Sequence, residues 1–431
     1  MSEEQTLRTR RQFLRTGVLG GAMAWTLPAF IEKTFFALDA AAAESAVQVA
    51  TGKDSPILVI LQMAGGNDGL NMVVPYADDA YYRARPRIGI AAGNVLKVDD
   101  HVGLHPKLKT LRGFYDEGRL GVIQGVGYPN PNRSHFRSTD IWQTATDSNK
   151  FANKGWLANY FDACCKGEDP VVGVSIGAET PLSFSGSSGA GITLTRPDQF
   201  RFISNDPAAG EAFADMTSNS DNTGGSVQSL SGDVAQGDGN TLDFVRRTAL
   251  DARISSDRIL EITRKSKAPV TYPGSRLATD LNLVARLIAG GLPTRVYYVS
   301  QGGYDTHSGQ SGTHERLLGE LDSALGAFVA DLRAQGNLDR VTIMTFSEFG
   351  RRVAENASGG TDHGAAAPMF VLGGKVKAGL HGTQPSLTEL GDGDLIYTVD
   401  FRRVYATMLD KWLQAPSEAV LGRKFPSLGF V

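Results

Sequence analysis

The sequence predicts an α/β fold, with a mostly parallel central sheet and helices on both faces. Three observations carry this. Short apolar runs without polar alternation, such as Ser55 to Met63 (SPILVILQM), suit strands buried on both faces. Segments with helical spacing of apolar residues lie between them. The strand-like runs end in glycine-rich or acidic turns, for example Ala64-Gly65-Gly66-Asn67-Asp68-Gly69.

The chain starts with a different kind of segment. Thr9-Arg10-Arg11-Gln12-Phe13-Leu14-Arg15 fits a twin-arginine export signal, and a weakly apolar stretch follows from Thr16 to Phe30. That stretch is too short and glycine-rich for a membrane span, and Ala40 to Ala43 offer small residues for cleavage. The other reading is an uncleaved anchor helix. Residues 1–43 are therefore expected to be a signal peptide, with residues 44–431 as one α/β domain. The expectation includes export by the Tat machinery, a periplasmic or secreted location, and no stable membrane span in the mature form.

Within the domain, Leu104 to Glu117 reads as a helix through Leu108, Leu111, Phe114 and Tyr115, and Leu120 to Gln124 as a strand. Asn132 is a candidate cap for a helix through Phe136, Ile141 and Trp142. Pro170 to Ile176 is a short strand. Residues 205–240, rich in Ser, Gly, Asn and Asp, are expected to be a flexible polar insertion. Helical patterns follow at Thr241 to Ser266 and Ser275 to Gly290. Next come a strand at Arg295 to Val299, a helix at Thr313 to Ala334 and a strand at Val341 to Phe346. The last elements are a strand at Pro368 to Leu372 and a helix from Phe401 to Trp412, capped by Asp400.

Composition narrows the function. A hydrophobic content of 41% and a charged content of 21% describe an ordinary globular chain. A formal charge of -3 over 431 residues argues against nucleic-acid binding. The only two cysteines, Cys164 and Cys165, are adjacent and read as packed thiols, not as a disulfide or a zinc pair.

Open α/β sheets gather their sites beyond the carboxyl ends of the strands, and several acid and imidazole groups are expected there. Asp68 follows the first strand as a metal ligand or as an Asx-turn. Asp305 and His307 in Gly-Tyr-Asp-Thr-His share one face if extended, so both reach one ion; the other reading is a helix-capping loop. Glu348 follows Val341 to Phe346 as a ligand or as a partner for Arg351 or Arg352. His363 precedes another strand, and Asp362 beside it is a ligand or a group that orients the imidazole. Ser134 opens a helix, as a nucleophile or an ordinary cap, with Arg133 and Arg137 placed to hold an anion. His101, His105 and His314 read as structural, and His381 lies outside the core of the site.

The order of these segments resembles the alkaline phosphatase superfamily, and more narrowly the bacterial domain-of-unknown-function family 1501. The matching stretches are MAGGNDGLNMVVPY, GLHPKLKTL, GVGYPNPNRSHF, GGYDTH, TFSEFGRR and GTDHGAAAPMFVLGG. The resemblance implies an alkaline phosphatase-like fold and an exported, metal-dependent hydrolase of phosphate or sulfate esters. It implies a divalent cofactor, zinc first, with manganese, calcium and magnesium as the other choices, and an anionic ester as substrate. Asp68 would bind one metal, and Ser134 would be the nucleophile, flanked by Arg133 and His135. Asp305 and His307 would bind the second metal with His363 nearby, and Asn67 and Arg137 would contact substrate. Glu348 stands where the superfamily has an Asp-His pair, and the next residue here is Phe349. In an alternative alignment Asp362-His363 is that pair and His381 is the last ligand. Neither Cys164 nor Ser134 lies in the Cys/Ser-x-Pro-x-Arg pattern of sulfatases. The competing expectation is a non-catalytic periplasmic or surface protein that binds or assembles with a partner through the same fold.

Overall fold

The computed structural model describes residues 55–165, 170–186, 191–199 and 254–431. The export segment, residues 1–43, and the polar insertion, residues 205–240, lie outside the described residues.

The centre of the molecule is a nine-stranded sheet. Its strands are β1 (Ile57–Met63), β2 (Leu120–Gly127), β3 (Gly173–Ile176), β4 (Ile192–Leu194), β5 (Val296–Gln301), β6 (Val341–Phe346), β7 (Ala367–Gly373), β8 (Gly379–His381) and β9 (Val399–Asp400). The spatial order is β8-β2-β7-β6-β1-β5-β3-β4, and β9 also pairs with β2. Every pairing is parallel except those of β7, which is antiparallel to β2 and β6. In the centre, Gln62 of β1 lies opposite Ser300 of β5 and Phe346 of β6.

Alternation along β1 builds two separate cores. Ile57, Val59, Leu61 and Met63 face one layer, with α1 (Lys109–Asp116), α4 (Arg276–Ala289) and α5 (Gln310–Ala334). Leu58 and Ile60 face the other, with α2 (His135–Thr144), α3 (Trp156–Cys164) and α6 (Phe401–Thr407). The expected three-layer α/β architecture, mostly parallel with helices on both faces, is therefore the observed one. Cys164 and Cys165 are buried free thiols, and burial pushes the Cys164 thiol up to about 12.

Local chemistry sets the helix ends. Ser275 caps α4 by accepting from the Ala278 N–H (3.2 Å), and Asp400 caps α6 through the Arg402 N–H (3.0 Å). The helix that α6 begins passes into a π-helical turn, Met408–Leu413, instead of running evenly to Trp412. Asn132 does not cap α2. Ser134 holds the cap position, and the Asn132 side chain accepts from the Ser134 N–H at 2.8 Å. Among the described residues no helix is long and apolar enough to cross a membrane.

The antiparallel direction of β7 matters for the site. The carboxyl ends of β1, β5 and β6 lie side by side on one edge of the sheet. Because β7 runs the other way, its amino-terminal end lies on that same edge. The loop before it, with Asp362 and His363, is thereby brought to the ends of the three central strands.

Candidate metal centre

Four elements deliver side chains to this edge. Asp305 and His307 leave β5, Glu348 leaves β6, His363 precedes β7, and His135 is the first residue of α2. Tight glycines let the loops approach. Gly65 adopts φ +120°, and a Cβ there would lie 2.5 Å from the Asp305 backbone nitrogen. A Cβ on Gly360 would lie 2.3 Å from the His307 carbonyl carbon.

The imidazoles are held in a common way. His363 Nδ1 lies 2.8 Å from the Arg133 carbonyl, which can only accept, so Nδ1 carries the proton. His135 Nδ1 lies 2.8 Å from Glu348 Oε1, which also accepts the Gly65 N–H at 2.9 Å. His307 Nδ1 faces Asp362 Oδ1 at 3.3 Å. With a proton on each Nδ1, the neutral rings present bare lone pairs on Nε2.

Those three Nε2 atoms gather around Asp305. His307 Nε2 is 3.0 Å and His363 Nε2 is 3.2 Å from Asp305 Oδ1, and His135 Nε2 is 3.4 Å from Oδ2. The two nitrogens of His307 and His363 are 2.9 Å apart. The ligand atoms of His135, Asp305 and His363 all lie within 4.8 Å of one another. Lone pairs and a carboxylate facing each other this closely repel unless a cation lies between them. A tetrahedral zinc with bonds of roughly 2.0 Å places its ligand atoms roughly 3.3 Å apart, close to the four contacts of 2.9, 3.0, 3.2 and 3.4 Å in this cluster. The residues present fit a divalent ion.

Asp305 is held from behind. Arg351 Nη2 donates to its Oδ1 at 2.7 Å. The rest of this buried guanidinium donates to the backbone carbonyls of Gly65, Gly66, Tyr304 and Thr361 and so ties three strand exits together. Burial alone would raise the Asp305 pKa, but the hydrogen bond and charge of Arg351 lower it overall. Phe349 packs between His135 (ring centroids 4.8 Å apart) and His363 (4.6 Å) and fixes both planes.

Beside the imidazoles a cleft of about 520 Å³ opens, lined by Gln62, His135, Phe136, Asp140, Gly303 and Glu348 among others. Ser134 is exposed, and its hydroxyl makes no capping bond. The residues on either side of it are both fixed to the cluster, Arg133 through its carbonyl and His135 through its ring.

Several expected roles are corrected. Asp68 is fully buried and forms a 2.6 Å ion pair with Arg85, while Gln310 Nε2 donates to the same oxygen. Burial acts to raise its pKa, and Arg85's charge and hydrogen bond lower it overall. Asn67 is buried too. It accepts from His314 Nε2 at 2.8 Å, and its amide nitrogen lies against Met72 Sδ, so it is not placed to meet substrate. Glu348 is 3% exposed and holds His135 Nδ1; it is not one of the converging ligands and does not pair with Arg351 or Arg352. Arg133 spends its guanidinium on Asp392 and Asp394, and Arg137 spends its own on the carbonyls of Ser148 and Lys150. Asp362 orients His307 and accepts from Asn356 Nδ2 at 3.1 Å. His381 bonds the Lys377 carbonyl at 2.9 Å, away from the cluster.

Sequence reasoning missed Arg85 and Gln310 altogether, since nothing in their local sequence marks them. His135 was signalled only by its neighbour Ser134.

The sequence pattern of one family, described as "Protein of unknown function (DUF1501)", matches residues 56–422. The chain belongs to the DUF1501 family. No curated protein matched the sequence. Solved structures similar to this DUF1501 chain include the PsFucS1 sulfatase from Pseudoalteromonas sp. (12% identity, TM-score 0.34, 86% of this chain and 68% of that one). Another is the alkaline phosphatase from the Antarctic bacterium TAB5 (10% identity, TM-score 0.30, 74% and 92%). A third is a protein in the alkaline phosphatase superfamily from Vibrio parahaemolyticus (8% identity, TM-score 0.32, 89% and 72%).

Proposed function

We propose that this DUF1501 protein is an exported, metal-dependent hydrolase of phosphate or sulfate esters. The observation that carries the metal is the convergence of three Nδ1-anchored imidazoles on the Asp305 carboxylate. The ester class is supported by the order of motifs along the chain, which resembles the alkaline phosphatase superfamily. Export rests on Arg10-Arg11 ahead of a weakly apolar segment, with Tat delivery to the periplasm or beyond and a single domain from residue 44 onward.

His135, Asp305, His307 and His363 would hold the ion. When bound, it supplies positive charge that polarises an ester oxygen and lowers the pKa of a nearby hydroxyl or water. Zinc suits the donor set best, with manganese, calcium and magnesium as alternatives.

The chain's own residues do the rest. Glu348 keeps the proton on His135 Nδ1, and the Arg133 carbonyl does the same for His363, so both rings stay oriented. Arg351 fixes the Asp305 carboxylate. Ser134, exposed and next to His135 in the chain, would supply the nucleophilic hydroxyl.

Ser134→Ala tests this reading. Turnover of an aryl phosphate, phosphodiester or aryl sulfate should fall at least a hundredfold with metal content unchanged. A fully active variant would remove Ser134 from the chemistry, and a parallel His135→Ala variant shows whether His135 takes the role.

One observation favours a second reading, a non-catalytic periplasmic or surface protein that binds a partner through the same centre. Arg133 and Arg137, expected to hold the anion, are both engaged with protein oxygens. A wild type that binds metal and hydrolyses no ester tried would put that reading in front.

A further inference from the structure

We infer that the centre takes one divalent ion, and that Arg85 is a built-in cation that removes the need for a second one at Asp68. This rests on the metal-dependent reading above and adds the number of ions.

The histidines can be accounted for completely. The chain has seven, and all lie in the described residues. His135, His307 and His363 form the cluster. His101 is exposed at a surface turn. His105 is buried, and its Nδ1 accepts the Lys107 N–H at 3.1 Å. His314 is buried against Asn67, and His381 bonds Lys377. His135, Asp305 and His363 form one ligand set, His307 Nε2 lies beside it at 3.0 Å from Asp305 and 2.9 Å from His363, and no imidazole remains to build another.

Asp68 is the carboxylate around which a second ion would have to form, and its surroundings are already committed. Arg85 is as fully buried as Asp68, and all three of its guanidinium nitrogens donate. Nη1 donates to Asp68 Oδ2 and, at 2.8 Å, to Asn71 Oδ1; Nε and Nη2 donate to the carbonyls of Val353 (2.8 Å) and Arg352 (2.9 Å). Asp68 Oδ1 has no hydrogen-bond partner. An ion at that oxygen would find no free imidazole, and the amide side chains that surround the Asp68–Arg85 pair are already engaged. Asn67 Oδ1 takes His314, Asn71 Oδ1 takes Arg85 and Tyr81, and Gln310 Oε1 takes Thr306 and Thr361.

Charge points the same way. Arg85 neutralises Asp68. Arg351, next to Asp305, leaves the remaining group of Asp305, Glu348 and Asp362 with a formal charge of -2. One divalent ion balances that charge. A guanidinium is always protonated, so the neutralisation of Asp68 does not depend on metal supply.

The test is metal stoichiometry of the intact folded chain by native mass spectrometry, together with a Co²⁺ titration followed in the visible region. The expected result is one ion per chain and a single saturation step. In the double variant Asp68→Leu/Arg85→Met both charged partners are replaced by apolar ones, which buried ion pairs often tolerate. Checked for folding by circular dichroism, it should still bind one ion with unchanged affinity. Two ions per wild-type chain would overturn the inference while leaving the metal-dependent reading standing. So would loss of the single ion in a folded double variant. No ion bound to the wild type would overturn both. If the double variant does not fold, the wild-type stoichiometry still decides.

Discussion

Glu348 offers the sharpest test of how the site is held. Its Oε1 accepts both from the Gly65 N–H (2.9 Å) and from His135 Nδ1 (2.8 Å), and the side chain is 3% exposed. Glu348→Ala removes the one acceptor that both groups share. His135 loses the group that fixes its tautomer and ring plane, and loss of such an orienting partner typically weakens metal binding about 10–100-fold. That corresponds to about 1.4–2.7 kcal/mol of binding free energy. Separately, leaving the part-buried Gly65 N–H without an acceptor should lower folding stability by about 1 kcal/mol. The two effects are read by different experiments. A competition titration of the apo protein against a zinc-chelating dye gives affinity, and urea denaturation of the apo protein gives stability. Glu348→Gln retains an acceptor oxygen, while its amide nitrogen faces Ser347 Oγ in place of Glu348 Oε2, 3.4 Å away. It should therefore recover most of the affinity. Zinc affinity unchanged in Glu348→Ala would refute the claim that Glu348 orients His135 for an ion. Affinity abolished outright, with no rescue by Gln, would make Glu348 a ligand.

Two more predictions follow from groups away from the ion. Burial lowers the pKa of both His105 and His314 to about 4, so the folded state binds fewer protons than the unfolded one between about pH 6.5 and 4. Stability should fall as pH drops through that window, by about 2 kcal/mol for each residue at pH 5, and His314→Gln should remove its share of the slope in urea titrations. A pH-independent urea midpoint from pH 7 to 5 would contradict the burial of both rings in neutral form. Replacing Arg10 and Arg11 with lysine should leave full-length precursor in the cytoplasm, as fractionation would show, whereas unchanged delivery would remove the Tat assignment.

The fold was largely legible because its strands are buried on both faces. β6 was read as Val341 to Phe346 and is observed with those bounds, since a continuous β-branched and apolar run has few alternatives. The direction of β7 was not legible, because a residue pattern of period two is the same forwards and backwards. Three short strands, β4, β8 and β9, were missed; two or three residues carry no period. At the site, the Asp305-x-His307 spacing placed two groups on one loop correctly, and the structure sets them beside His363. Asp68 was misread because a Gly-rich strand exit ending in Asp looks the same whether the carboxylate meets a metal or an arginine. The deciding partner, Arg85, is a cation 17 residues away with no local signature. The Glu348–His135 pair spans 213 residues, and only the meeting of β6 with the start of α2 brings it together.

The central claim is that three imidazole Nε2 atoms and the Asp305 carboxylate surround one cation. Zinc-edge X-ray absorption on the protein as isolated or reconstituted with zinc tests it most directly. The account predicts a four-coordinate ion with only nitrogen and oxygen neighbours at roughly 2.0 Å and multiple scattering from three imidazoles, falling to two in His363→Ala. A spectrum with sulfur neighbours, with at most one imidazole, or unchanged in His363→Ala would contradict it.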